Sequence, residues 1–235
     1  MTEEFIVTDN HNRLLEAAAR LKLLPQDAPR MGIGYGNFGL GKTMSIARIA
    51  AMEGALLFRA SSTWSKSAFL TSLCEKLGLD VSDSASIKYK RAVDHLNLEP
   101  KTIIIDEIDA LLRSDKISIL EILRDIHDET PSPLLLIGME SCDGKLKRHQ
   151  HFYSRIVERV VFSPAKIDDI ARFAKLSKIA ISQEVVDYLA QKYPNFRQIK
   201  VMFLRLENWC ETNGRKSATL KEWKAAGVEL GIVRI

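Results

Sequence analysis

The stretch at residues 36–43, Gly-Asn-Phe-Gly-Leu-Gly-Lys-Thr, constrains this chain more than any other feature. It follows a strand-like run, Met31–Tyr35, and precedes a helix-like run that begins at Thr43. Backbone N–H groups of a glycine-rich turn can converge on a triphosphate because no bulky Cβ atom blocks the approach. The next helix then points its positive dipole end at the same anion. The sequence therefore predicts a phosphate-binding loop between a strand and a helix.

Each position of this loop has a predicted part in holding a nucleoside triphosphate. Lys42 is expected to bridge the β- and γ-phosphates, which makes it a candidate catalytic residue as well as a binding one. The Thr43 hydroxyl is expected to ligate Mg²⁺. The predicted nucleotide contacts in and beside the loop are Gly36, Asn37, Phe38, Gly39, Leu40, Gly41, Lys42, Thr43 and Met44.

The composition favours a cytoplasmic protein with a sizeable core. Hydrophobic residues make up 46% of the 235, which suits one α/β domain with a smaller appended domain. No apolar run approaches the length needed to cross a bilayer, so we expect no membrane partner. Cys74, Cys142 and Cys210 are isolated along the chain, a pattern that favours reduced thiols over disulfides or a zinc site.

Five strand-like runs alternate with helical stretches, and this alternation predicts an α/β fold with a parallel sheet. The third and fourth runs are apolar throughout, as expected of central strands that are buried on both faces. The five predicted strands are Met31–Tyr35, Ala55–Arg59, Lys101–Asp106, Leu134–Gly138 and Glu158–Phe162.

Only helices are predicted after Pro164, so the chain is expected to contain three parts. These are a helical lead-in at residues 1–29, an α/β nucleotide-binding core at 30–163 and a small helical lid at 164–235. The lead-in contains one predicted helix, Arg13–Leu24. The helices predicted for the lid are Ile167–Ser177, Gln183–Lys192, Phe196–Thr212 and Thr219–Ala226.

The third strand-like run ends in two acids, in the pattern of a Walker B strand. Asp106 is expected to reach the end of the strand beside the phosphate-binding loop and to hold the Mg²⁺ shell. Glu107, one residue further on, is a candidate general base that polarises the attacking water. A third carboxylate, Asp109, is interpreted as a cap for the helix that follows.

These motifs together resemble an AAA+ ATPase. The stretches Ile-Ile-Ile-Asp-Glu-Ile-Asp-Ala-Leu, Leu-Leu-Leu-Ile-Gly-Met-Glu and Phe-Tyr-Ser-Arg-Ile resemble, more narrowly, the B transposition proteins of Mu-like phages and transposons. The resemblance covers roughly residues 30–210. It implies a five-stranded parallel sheet of order 5-1-4-3-2. A small all-α lid is expected to follow the sheet along the chain. It also implies ATP as the nucleotide.

The resemblance assigns three further positions. Arg155 matches the arginine finger, which in this family reaches a neighbouring subunit's nucleotide and therefore implies oligomers. Arg197 matches the sensor 2 arginine, which contacts the γ-phosphate from the lid of the same chain. The sensor 1 position falls at Met139 or Glu140, where many relatives have asparagine. This departure implies slow ATP hydrolysis.

Three segments are candidates for binding DNA, and the third, residues 88–91, is also typical of a solubilising helix surface. Lys145, Lys147 and Arg148 belong to the densest basic cluster, which suits DNA phosphates and a subunit interface equally well. Trp64 and Lys66 follow the second strand, in a region that faces the central channel of AAA+ rings, and their chemistry suits sequence-independent binding.

The resulting functional hypothesis is an ATPase that assembles on double-stranded DNA as a ring or a helical filament. Its expected partner is a transposase, which it recruits or stimulates, and slow hydrolysis releases it from DNA. The expected setting is a bacterium or a phage-infected bacterium. A second hypothesis is a nucleotide-dependent switch or loader that acts on a protein without binding DNA. A kinase for a small molecule is a third, disfavoured because a kinase does not require Glu107.

Overall fold

The sheet of this protein contains five parallel strands in a computed structural model that describes residues 4–25, 27–112, 117–193 and 195–227. The strand order is β2-β3-β4-β1-β5, which confirms the order 5-1-4-3-2. The strands are β1 (Met31–Tyr35), β2 (Leu56–Arg59), β3 (Ile103–Asp106), β4 (Leu134–Gly138) and β5 (Ile156–Val161).

The described residues fall into two compact units. Residues 11–37 and 42–162 form the sheet unit, and residues 4–10, 38–41 and 163–227 form the helical unit. The predicted lid extended to residue 235, but its last eight positions lie outside the described residues. The helices that begin before residue 163 are α1 (Asp9–Leu23), α2 (Lys42–Glu53), α3 (Lys66–Leu77), α4 (Ala85–Leu98), α5 (Asp109–Leu112), α6 (Ile117–Glu129), α7 (Cys142–Leu146) and α8 (Gln150–Tyr153).

Helices cover both faces of the sheet because its central strands are apolar on both sides. Ile103 and Ile105 of β3 belong to one continuous core with α3, α4 and α6, while Ile104 between them is buried on the opposite face. On that opposite face, Leu14 and Leu21 of α1 pack over β1. The edge strand β5 differs, because its residues alternate between buried and exposed positions.

The helical unit has its own hydrophobic core, built around the fully buried Trp223 and Phe203. Side-chain caps define where its helices begin. Asn195 accepts a hydrogen bond from Gln198 N, and Thr219 forms a capping box with Glu222. Its helices are α9 (Ile167–Ala174), α10 (Gln183–Lys192), α11 (Phe196–Thr212) and α12 (Leu220–Ala225).

Within the described ranges, every helix is too short or too polar to cross a bilayer.

Candidate functional site

The phosphate-binding loop joins the end of β1 to the start of α2, as the sequence predicts. Gly39 and Gly41 have φ angles of +75° and +87°, a left-handed backbone conformation that residues other than glycine rarely adopt. The Lys42 ammonium donates hydrogen bonds to the carbonyl oxygens of Gly36 and Asn37, both at 2.7 Å. The loop therefore curves around the lysine that is expected to contact the phosphates.

The Walker B strand brings its aspartate to the first turn of α2. The Thr43 hydroxyl donates a hydrogen bond of 2.9 Å to Asp106 Oδ2, while Glu107 N donates to Asp106 Oδ1 at 2.9 Å. A hydroxyl and a carboxylate in contact form the oxygen donor set that Mg²⁺ prefers. Thr43 and Asp106 therefore fit the metal site that the sequence predicts, and Asp106 is buried there while Thr43 is exposed.

Glu107 has an unusual backbone and a partner that the sequence reading missed. Its φ angle is 55°, and it is the only described residue other than glycine with a positive φ. Its carboxylate forms an ion pair with Arg59, which raises the pKa of the arginine through the hydrogen bond and the opposite charge. Arg59 and Asp106 are register partners at the ends of β2 and β3. The only sign of this pair in the sequence is that the second strand ends in a charged residue, Arg59.

Asp109 does not cap the helix that it begins, contrary to the sequence interpretation. It is buried, and its Oδ2 atom accepts a hydrogen bond of 2.6 Å from Met139 N. The carboxylate therefore ties Met139, a predicted sensor 1 residue, to the segment that follows β3. Met139 is half-buried and Glu140 is exposed. Burial, together with the nearby Asp109 charge, raises the pKa of the Cys142 thiol to about 12, so this cysteine stays protonated.

Arg155 lies at the end of the sheet where the parallel strands begin. It directly precedes β5, and Ile156 is the register partner of Met31 at the start of β1. Its guanidinium forms a two-point ion pair with Asp128, with Nε 2.6 Å from Oδ1 and Nη2 2.5 Å from Oδ2. It also donates to the backbone oxygen of His151. The phosphate-binding loop follows β1 and so lies at the opposite end of the sheet, where the strands end.

Of the remaining predicted nucleotide contacts, Met44 is exposed in α2 of the sheet unit, and the others lie in the helical unit. Phe196 N donates a hydrogen bond of 2.8 Å to Gly39 O, so the tip of the loop is tied to the start of α11. Leu40 is buried and Phe38 is exposed. Arg197, the predicted sensor 2 residue, is exposed on the first turn of α11.

The two candidate DNA residues after β2 have different surroundings. The Trp64 ring is half-buried and packs against Phe69, with ring centroids 5.3 Å apart, and against Phe58 at 6.4 Å. This packing leaves little of the ring for stacking on bases. Lys66 is exposed at the start of α3, where Ser65 caps the helix by accepting from Ala68 N.

The residues of the basic cluster have different surroundings. Lys147 belongs to an ion pair, and Arg148 lines a groove. Lys147 lies 3.3 Å from the buried Asp143, which also accepts a hydrogen bond from the Tyr153 hydroxyl. Lys145 is half-buried. Arg148 is exposed and lines a groove of about 360 Å³ beside α6. Of the three predicted DNA contacts here, Arg148 is thus the most available to an anionic ligand.

The fold and these residues define a P-loop nucleoside triphosphatase. A family model described as an AAA domain matches residues 26–146, more than half of the chain. The chain belongs to this family, and membership implies that it binds a nucleotide. The broader resemblance inferred from the sequence is thereby confirmed. The narrower one, to B transposition proteins, stays a prediction. No curated protein sequence matches the chain.

Several solved structures share this fold. The Aeropyrum pernix ORC2 protein is 18% identical, with a TM-score of 0.70 over 96% of this chain and 71% of that one. The Aeropyrum pernix ORC1 protein, in complex with DNA, is 17% identical, with a TM-score of 0.63 over 97% and 66%. Domain III of the Thermotoga maritima replication initiation protein DnaA is 17% identical, with a TM-score of 0.62 over 98% and 95%. At these identities the similarity concerns the fold.

Proposed function

We propose that this protein is a slow AAA+ ATPase that assembles on double-stranded DNA and recruits or stimulates a transposase. Lys42 and Arg197 contact the triphosphate, and Thr43 and Asp106 hold Mg²⁺. Glu107 accepts a proton from the attacking water, and the Arg155 of a neighbouring protomer stabilises the charge that develops on the γ-phosphate. Hydrolysis then releases the protomers from DNA.

One observation carries the proposal that protomers assemble. Arg155 lies where the strands begin, whereas the Walker residues lie where the strands end. The two ends of the sheet are separated by the five residues of β1, a length of roughly 16 Å. This distance is far beyond the reach of an arginine side chain that is paired with Asp128. Arg155 therefore does not serve the nucleotide of its own protomer, and a second protomer is needed to use it.

Binding to DNA without sequence preference is supported by exposed basic residues. Arg148 at the groove beside α6 and Lys66 at the start of α3 suit contacts with backbone phosphates. The ORC1 protein with the same fold was solved in complex with DNA. The transposase partner is supported only by the sequence resemblance around residues 138–156.

A second candidate function is a loader or switch of the initiator type that acts on a protein partner. The fold similarity to domain III of the replication initiation protein DnaA favours it. In that case ATP would still drive assembly, but double-stranded DNA would have no effect on assembly or turnover. The two functions are therefore separated by the response to DNA.

The test measures ATP turnover and sedimentation of the purified protein with and without double-stranded DNA of mixed sequence. We expect ATP to produce large DNA-bound assemblies. We expect Glu107→Gln to lower turnover by about 10²-fold while the assemblies persist, and Arg155→Ala to lower turnover by about 10³-fold. Lys42→Ala should abolish nucleotide-dependent assembly. An absence of any DNA effect would replace this proposal with the protein-directed switch.

A further inference from the structure

A chain of hydrogen bonds connects the start of β1 to Arg155. Arg30 N donates to His127 Nε2 at 2.9 Å, and His127 Nδ1 lies 2.9 Å from Asp128 Oδ1. Asp128 in turn holds the Arg155 guanidinium by its Nε and Nη2 atoms. All of these groups belong to the sheet unit.

The backbone contact fixes the proton of His127. Since Arg30 N–H donates to Nε2, that nitrogen is an acceptor and the proton of the neutral ring lies on Nδ1. The Nδ1–H group then donates to Asp128 Oδ1, so the carboxylate is oriented before it meets Arg155. Burial lowers the pKa of His127, whose side chain is only 7% exposed, so the ring stays neutral at physiological pH.

The position of Asp128 in its helix gives an independent argument. Asp128 is the penultimate residue of α6, where the negative end of the helix dipole disfavours a carboxylate. Burial also opposes its ionisation, yet the hydrogen bonds from Arg155 and His127 outweigh these effects and keep its pKa below the usual range. Asp128 thus contributes to the Arg155 site rather than to helix stability.

We propose that Asp128 is a positioning residue that holds Arg155 ready for the nucleotide of a neighbouring protomer. The inference rests on the proposed function, in which Arg155 acts between protomers. An arginine side chain loses rotamer entropy when it is immobilised. Pairing with Asp128 immobilises it before the neighbour arrives. Asp128 and the His151 oxygen engage three of its five N–H donors and leave two for a phosphate.

Mixed assemblies on double-stranded DNA test this role, because each protomer then has a single task. Glu107→Gln protomers still assemble with ATP and lend Arg155 but turn ATP over about 10²-fold more slowly, and Arg155→Ala protomers bind ATP but lend no guanidinium. We expect the mixture to recover turnover. When the lending protomer also carries Asp128→Asn, the recovered kcat should fall about tenfold while the KM for ATP is unchanged.

The matched control adds Asp125→Asn to the lending protomer. Asp125 lies on the same helix and pairs with Arg124 instead, so turnover should equal that of the parent mixture. Melting temperatures of the lending variants verify that both are folded. An equal or higher kcat with Asp128→Asn overturns the positioning role, and a higher value makes the ion pair a brake. If the parent mixture recovers no turnover, the action of Arg155 between protomers fails, and this inference fails with it.

Discussion

Glu107 combines a strained backbone with an engaged carboxylate. Its φ angle of 55° is one that residues other than glycine adopt at a free-energy cost of about 1–3 kcal/mol, and such strain is concentrated at functional sites. Arg59 occupies one of the carboxylate oxygens that would otherwise accept the proton of the attacking water. In the proposed function, the pair therefore sets how readily Glu107 acts as a base.

Replacement of Arg59 by alanine should raise ATP turnover in the absence of DNA. Removal of the guanidinium leaves the Glu107 carboxylate able to meet the water, and we expect an increase of up to about tenfold. Steady-state phosphate release measures the effect. Arg91→Ala is the control, because Arg91 also pairs with two acids, the exposed Asp80 and the half-buried Asp83, but at positions far from the Walker residues in sequence. A decrease with Arg59→Ala would show that the arginine instead orients the base.

His127 should make the folded protein less stable in mild acid. Burial holds its pKa below the ordinary 6.5, although the Asp128 carboxylate opposes the shift. As the pH falls below about 6.5, protons bind the unfolded chain before the folded one, so the stability that depends on the neutral ring is complete above that pH and declines below it. Urea unfolding at pH 7.5 and pH 5.5 should show a smaller loss for His127→Gln than for the natural chain. The same substitution at the exposed His151 is the control.

At the scale of elements, the end of β4 is where three segments converge. A Cβ atom on Gly138 would lie 2.7 Å from Cys142 Sγ and from Ile108 Cγ2, and 2.8 Å from Asp109 Oδ2. We expect Gly138→Ala to destabilise the protein by about 1–3 kcal/mol and to weaken the bond between Asp109 and Met139. Thermal unfolding and ATP turnover should both decline.

The matched substitution for Gly138 is Gly144→Ala in α7. A Cβ atom there has no neighbour within 4 Å among the described residues. Because glycine is unfavourable within a helix, the change should be neutral or stabilising by up to about 1 kcal/mol. Equal melting temperatures for the two alanine variants would contradict the packing argument at Gly138.

Elements with a strong local pattern were predictable from the sequence. The predicted bounds of β1, β4, α10 and α11 agree with the structure, because each strand is an apolar run shortly after a proline and each helix has a regular helical period. Strand β5 begins two residues earlier than predicted. Exposed and buried residues alternate along this strand. Glu158 and Arg159 therefore interrupt the apolar run on which the prediction relied.

The ion pairs of the candidate site were beyond the reach of sequence patterns. Arg59 pairs with Glu107 across 48 positions, and Asp128 pairs with Arg155 across 27. Periodicity predicts which side of an element is buried, but it does not indicate which charged residues on different elements meet. The Walker residues were predictable because their spacing follows from the chemistry of phosphate and Mg²⁺.

At the scale of the whole molecule, the proposed function requires different numbers of protomers for nucleotide binding and for nucleotide hydrolysis. Lys42, Thr43, Asp106 and Glu107 are all near one end of the strands of a single sheet unit, whereas Arg155 lies at the other end. A dilute protomer should therefore bind ATP and Mg²⁺ without Arg155, and only assembly should bring Arg155 to a neighbour's nucleotide.

Thermal unfolding of the dilute protein, with ATP and Mg²⁺ and without DNA, tests this separation. A ligand at 100 times its Kd adds about 2.7 kcal/mol to the free energy of unfolding, which for a chain of this size raises the Tm by roughly 5–10 °C. We expect this rise for the natural chain and for Arg155→Ala, because the finger is not part of the protomer's own site. Lys42→Ala should show little rise, while alanine at the exposed Lys90 of α4 should leave it intact. Chelation of Mg²⁺ should reduce the rise in every variant that shows it. Loss of the rise in Arg155→Ala at high dilution would mean that the guanidinium serves its own nucleotide, which contradicts assembly as the step that completes the site.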